Sequence, residues 1–136
     1  NIPIGVCIGY VMSTREITID NLQDTIGQGG IVLLDFWAGW CGPCRMFAPV
    51  FEKASESNSD IVFGKVDTEA EQQLAGGFGI RSIPTLMAFR DGVLVFNQPG
   101  ALPAAQLDEL IGAVRDLDMD QVRAEIAAAE KEQASS

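Results

Sequence analysis

The sequence predicts an α/β fold in which a central mixed β-sheet is sandwiched between α-helices. Three observations carry that expectation. Strand-like runs alternate with runs of helical spacing, which implies parallel strands joined by crossover helices. Asp91-Gly92 stands between two apolar runs and marks a tight hairpin, so one strand pair must be antiparallel. Residues 31–37, IVLLDFW, are apolar throughout except for Asp35, the profile of a strand buried on both faces.

In chain order, residues 16–19 form a short candidate strand, and Asp20 can cap a helix that begins near Asn21 and ends at Gly27 or at Gly29-Gly30. The central strand 31–37 follows. Residues 45–57 have helical spacing, with Met46, Val50 and Phe51 expected to face inward. Pro49 in their interior removes a backbone donor and should divide the helix into two rigid pieces. Residues 61–66 read as a strand and 69–74 as a helix closed by Gly76-Gly77. Residues 86–89 read as a strand preceded by Ile83-Pro84, and 93–96 as its hairpin partner. From Pro103 a helix runs to about Arg115, with Leu107, Leu110, Ile111 and Val114 on one face.

The organisation expected is a non-domain segment over 1–14, one domain over 15–115 and an acidic helical extension over 116–136. Met12 is the expected biological start, with residues 1–11 as upstream sequence; a trimmed secretory segment and an extra strand or arm are the alternatives. The extension carries Asp116, Asp118, Asp120, Glu125, Glu130 and Glu132 against Arg123 and Lys131. It reads as an appended, partly amphipathic helix with little bulk beyond Leu117, Met119, Val122 and Ile126, a solvated tail by expectation and a partner-binding helix as the alternative.

At 136 residues and 47% apolar, the chain suits one domain with its own core. Nineteen acids stand against nine bases, for a formal charge of −10, and no basic run is present to neutralise a row of phosphates. Neither nucleic acid nor an anionic membrane is an expected partner. The chain has no histidine, which removes Cys-His and Ser-His catalysis and any His-ligated metal. Three cysteines are too few for a disulfide-built secreted scaffold, and a C-x-x-C inside an α/β pattern points to redox chemistry, so a reducing, cytoplasmic compartment is expected. The expected oligomeric state is a monomer.

Cys41 and Cys44 lie in WCGPC, at the junction of the central strand with the following helix. As a staple the pair would close only a four-residue loop, worth about 2 kcal/mol in the chain-entropy account. A structural zinc site needs four ligands, and only Cys7 remains to add. A reactive pair has the positive physical case. Unpaired N–H groups and the positive end of a helix dipole favour thiolate at Cys41, while Cys44 lies close enough to resolve a mixed disulfide formed there. Gly42 lets the turn bend, and Pro43 suits the first helical turn and stiffens the ring.

WCGPC, preceded by DFWAG and followed about forty residues later by IRSIPT, resembles the thioredoxin family over roughly residues 16–115. The resemblance implies the thioredoxin fold and a protein dithiol–disulfide oxidoreductase acting as a general disulfide reductase and electron donor. It implies no bound cofactor beyond the redox-active Cys41–Cys44 disulfide. Electrons would come from a thioredoxin reductase that uses NADPH and flavin, and would pass to protein disulfides. Cys41 matches the nucleophile, Cys44 the resolving cysteine, Asp35 the buried carboxylate that moves the resolving thiol's proton, and Lys65 the lysine near it. Pro84 matches the cis-proline facing the cysteines, which leaves the Ile83 backbone free to pair with an extended substrate. Trp40, Gly42, Pro43, Gly100 and Ala101 would complete the substrate groove, with Trp37 packed behind the site and Pro49 structural.

Gly39, Pro99 and the extension depart from the family pattern, which leaves the chemistry intact and bears on groove shape. An oxidase or isomerase is the rival within the same chemistry, and a rigid non-enzymatic subunit the rival outside it. The resemblance associates Gly-Pro between the cysteines with the reducing members, and Pro43 supplies no positive charge to hold a Cys41 thiolate.

Overall fold

The computed structural model describes residues 13–135. Cys7, the expected start at Met12 and Ser136 lie outside the described residues. The elements are β1 (Thr14–Glu16), α1 (Leu22–Gly27), β2 (Ile31–Trp37), α2 (Gly42–Ser57), β3 (Val62–Asp67), α3 (Gln72–Gly77), β4 (Thr85–Arg90), β5 (Val93–Pro99), α4 (Ala104–Arg115) and α5 (Met119–Ser135). The strands form one mixed sheet in the order β1-β3-β2-β4-β5. Strand β3 runs parallel to both β1 and β2, while β2–β4 and β4–β5 are antiparallel. The expected α/β sandwich is the observed one.

Alternation along β2 builds two cores. Ile31 and Leu33 point to the face covered by α2 and α4, where they meet Phe47, Phe51, Leu107 and Ile111. Val32, Leu34 and Phe36 point to the other face, against Leu74 of α3 and the partly buried Leu22 and Ile26 of α1. Because both faces are covered, the strand reads as a continuous apolar run rather than an alternating one. Gly64 of β3 marks a close approach: a Cβ there would lie 2.5 Å from Ile17 Cγ1 and 2.9 Å from Leu34 Cδ2. At the β4–β5 turn Asp91 and Gly92 have φ of 52° and 82°, the left-handed pair that a two-residue hairpin needs.

Several local expectations are corrected. Strand β1 spans Thr14–Glu16 and shares only Glu16 with the expected strand 16–19: the Glu52 carboxylate accepts from Ser13 N–H and the Thr14 hydroxyl and holds the earlier residues in place, while the turn at Thr18 ends the strand. The first helix is entered at Asn21 rather than Asp20: Asn21 Oδ1 accepts the Thr18 N–H and so closes the preceding turn. Helix α2 is continuous through Pro49, whose missing donor falls on the exposed side. Met46 does not face inward; it is 75% exposed, while Cys44, Phe47, Phe51 and Ala54 form the buried stripe at helical spacing. Helix α3 starts at Gln72, three residues later than expected, because Asp67 Oδ1 accepts from the Glu69 and Ala70 N–H groups and holds those residues in a turn. The extension is not wholly solvated: Met119 is buried, Leu117 packs on the main core, and Val122 and Ile126 line a groove with Leu94 and Val95 of β5.

No helix among the described residues is long and apolar enough to cross a membrane.

Candidate active site

Strand β2 ends at Trp37, and after four intervening residues α2 begins at Gly42. Cys41 is the residue that caps it, with extended dihedrals (φ −88°, ψ 115°) and its sulfur accepting the Cys44 N–H at 3.2 Å. Pro43 stands in the first turn, where its missing N–H costs nothing. The Cys44 N–H, in the first turn of a 16-residue helix, is therefore directed at the Cys41 sulfur, which together with the positive end of the helix dipole favours a thiolate there. In the structure the sulfurs of Cys41 and Cys44 are joined in a disulfide, with their Cα atoms 5.2 Å apart.

Accessibility does not distinguish the two cysteines. Cys41 is 4% exposed and Cys44 3%, and both pack with Ala38, Trp37 and Ile83. What differs is the electrostatic setting, since the N–H of Cys44 points at the sulfur of Cys41. Cys41 Sγ also lies 3.6 Å from the Ile83 carbonyl oxygen, a van der Waals contact while the disulfide is closed.

Asp35 is fully buried, and neither carboxylate oxygen has a hydrogen-bond partner. By strand alternation it shares its face of β2 with Ile31, Leu33 and Trp37, the face that α2 covers. Burial raises its pKa from 3.8 to about 6, against the opposing pull of Lys65. Lys65 is the parallel partner of Asp35 on β3, with its Nζ 3.8 Å from Oδ2 and 5.2 Å from the centre of the Trp37 ring.

The Ile83–Pro84 peptide is cis, as the resemblance implies, and packs Ile83 against the cysteines. The Pro84 carbonyl accepts the Gly100 N–H at 2.7 Å, which brings the segment after β5 up beside the cis bond. Gly42, Pro43, Gly100 and Ala101 are exposed, and Ile83 is half-buried. Trp40 is 66% exposed, and its indole N–H donates to Glu69 Oε2 at 2.8 Å. Pro49 stands apart from these residues, further along α2, at an apolar groove shared with Val50, Ala104 and Leu107.

Two contributors escaped the sequence reading. Arg45 donates through Nε and Nη2 to the Gly39 carbonyl, at 3.1 and 3.0 Å, and so ties the loop before Cys41 to the helix after it. Its position one helical turn after Cys41 is the signal that was available. Glu69 offered none, because its partner lies 29 residues away in sequence.

Comparison with known proteins agrees with this geometry. The family model described as Thioredoxin matches residues 13–113. The chain is 59% identical over 115 residues to a putative thioredoxin 2 of Streptomyces coelicolor, covering 85% of this chain and 86% of that one. It is 45% identical over 83 residues to a thioredoxin of Bacillus subtilis, covering 60% of this chain and 80% of that one. Among solved structures, a thioredoxin of Malassezia sympodialis superposes with a TM-score of 0.68 at 36% identity, over 75% of this chain and 90% of that one.

Proposed function

The chain belongs to the thioredoxin family and is a protein dithiol–disulfide oxidoreductase, and from that premise we propose that it works as a general disulfide reductase with Cys41 as nucleophile and Cys44 as resolving thiol. One observation carries the assignment of roles: the Cys44 N–H is directed at the sulfur of Cys41 at the N-terminus of α2.

In the reduced protein the Cys41 thiolate attacks one sulfur of a target disulfide. A Cys41–target bond forms, and the other target sulfur leaves as thiolate. Asp35, largely ionised at neutral pH with its pKa near 6, takes the proton of the Cys44 thiol. Cys44 then attacks the Cys41 sulfur, the intramolecular disulfide closes, and the second target sulfur leaves. Two electrons have passed to the target. A thioredoxin reductase drawing on NADPH through flavin would return the pair to the dithiol, which makes the chain an electron carrier in a reducing cytoplasm. Lys65 tunes Asp35 by its charge. Trp40, Gly42, Pro43, Ile83, Pro84, Gly100 and Ala101 form the groove, in which Ile83 pairs with extended substrate backbone. The protein acts as a monomer.

Insulin reduction coupled to NADPH oxidation through a bacterial thioredoxin reductase tests this reading. Turnover is expected with the native chain and none with Cys41→Ser. A native chain that cannot be recharged by the reductase overturns the proposed electron source.

A further inference from the structure

We propose that Glu69 is a positioning residue: by accepting the Trp40 indole N–H, it holds that ring as one wall of the substrate groove. The inference rests on the reading that Trp40 lines the groove.

Trp40 belongs to none of the apolar clusters of the described residues and is two-thirds exposed, so packing does not fix its ring. The described polar contact of its side chain is the 2.8 Å bond to Glu69 Oε2. Trp37 has the opposite setting: its ring packs with the cysteines and its buried Nε1 has no partner. One tryptophan is held by packing, the other by a single hydrogen bond.

Glu69 is in turn fixed from behind. Its N–H donates to Asp67 Oδ1 at 3.0 Å, and its carbonyl accepts from the Gln72 side chain at 3.2 Å. The preceding Thr68 donates both its N–H and its hydroxyl to the Trp37 carbonyl, at 2.9 and 3.0 Å. The segment carrying Glu69 is therefore anchored to the strand end from which Trp40 departs. The Arg45 fork on the Gly39 carbonyl fixes the backbone just before Trp40. With the backbone held from one side and the indole from the other, the two torsions of the side chain are both constrained, which spares a protein substrate the cost of ordering the ring. Among the described residues Glu69 makes no ion pair, so its carboxylate serves this bond and no other described partner.

The test compares Glu69→Ala, Glu69→Gln and Trp40→Ala in the full chain, with insulin as substrate and the reductase in excess. The indole N–H resonances are followed by NMR, where Trp37 and Trp40 give separate signals. Glu69→Ala is expected to raise KM for insulin by roughly three- to tenfold, the worth of one hydrogen bond, with a smaller change in kcat. Its Trp40 N–H should exchange faster with water. Glu69→Gln keeps an acceptor oxygen and should restore most of both properties. If Trp40→Ala raises KM and Glu69→Ala does not, the positioning role is overturned while the groove reading stands. If Trp40→Ala leaves KM unchanged, the groove reading fails and takes this inference with it. Equal impairment by Gln and Ala overturns it in favour of a charge effect.

Discussion

The Lys65 ammonium stands 3.8 Å from the Asp35 carboxylate, at paired positions on parallel strands β3 and β2, and the two are unequally buried: the Asp35 side chain is sealed while that of Lys65 is 24% exposed. The cation reaches the carboxylate from a partly wet side and does not cancel its desolvation, so the Asp35 pKa stays raised, at about 6 against 3.8.

The first prediction concerns stability against pH. Between 3.8 and about 6 the folded chain holds a proton on Asp35 that the unfolded chain has released. The resulting stabilisation is fully present below 3.8 and is lost as pH rises through about 6, with an amplitude of about 3 kcal/mol from the size of the shift. Asp35→Asn should remove this dependence and stabilise the chain at pH 8 by about 2 kcal/mol, measured by urea unfolding at pH 4 and pH 8. It should also slow resolution of the mixed disulfide at least ~10-fold through loss of the proton acceptor. A variant less stable than the native chain at pH 8 would show that the carboxylate anchors the fold instead.

Lys65→Met removes the charge that pulls the Asp35 pKa down. The Asp35 titration midpoint, followed by its carboxyl carbon resonance, should move further above 6. The pH at which resolution slows on acidification should rise with it. A midpoint that stays in place or falls would mean that solvent, rather than Lys65, stabilises the ionised carboxylate.

The two cysteines should separate by electrostatics and not by access, since both are buried to the same degree. In the reduced protein, iodoacetamide should modify Cys41 more than ~10-fold faster than Cys44 at neutral pH, because the Cys44 N–H and the start of α2 favour thiolate at Cys41. Cys44→Ser should accumulate a covalent complex with insulin that dithiothreitol releases. Equal alkylation rates would contradict the assignment, as would the absence of any trapped complex.

How far the sequence revealed this site depends on the range over which each residue acts. Cys41, Gly42, Pro43 and Cys44 are neighbours, and strand-to-helix chemistry made their geometry legible. Asp35 stood out as the charge in an apolar strand, and burial confirms the oddity. Met46 was misjudged because apolarity was taken for orientation; the phase set by Phe47 and Phe51 turns it outward. The start of α3 was misplaced because Asp67 spends its side chain on a turn, a local competitor of helix that propensity does not reveal. Glu69 and Arg90 act across 29 and at least 24 residues, and nothing near them in sequence announces a partner.

The last prediction concerns α5. Arg90 Nη1 donates to the carbonyls of Val114, Arg115 and Leu117, at 2.9, 3.1 and 2.7 Å, and so caps the end of α4 and the turn that launches α5. Past that turn Met119 is buried, and Val122 and Ile126 lie along Leu94 and Val95, whereas residues 127–134 are exposed. The helix therefore has a docked half and a solvated half, and the boundary proposed for the catalytic domain at residue 115 leaves both outside the domain. A chain ending after Ala127 should keep its stability within about 0.5 kcal/mol, as expected for exposed residues. Ending after Arg115 strips Leu117 and Met119 from the core and takes one acceptor from Arg90, at a cost of about 2–4 kcal/mol. Urea unfolding of the two truncations measures the difference, and insulin reduction below the melting transition should be the same in both, because α5 contributes no residue to the groove. Equal stabilities would show that the contacts of Leu117 and Met119 do not outweigh the entropy of ordering α5, and a loss of activity in the still-folded shorter chain would place part of the extension at the substrate.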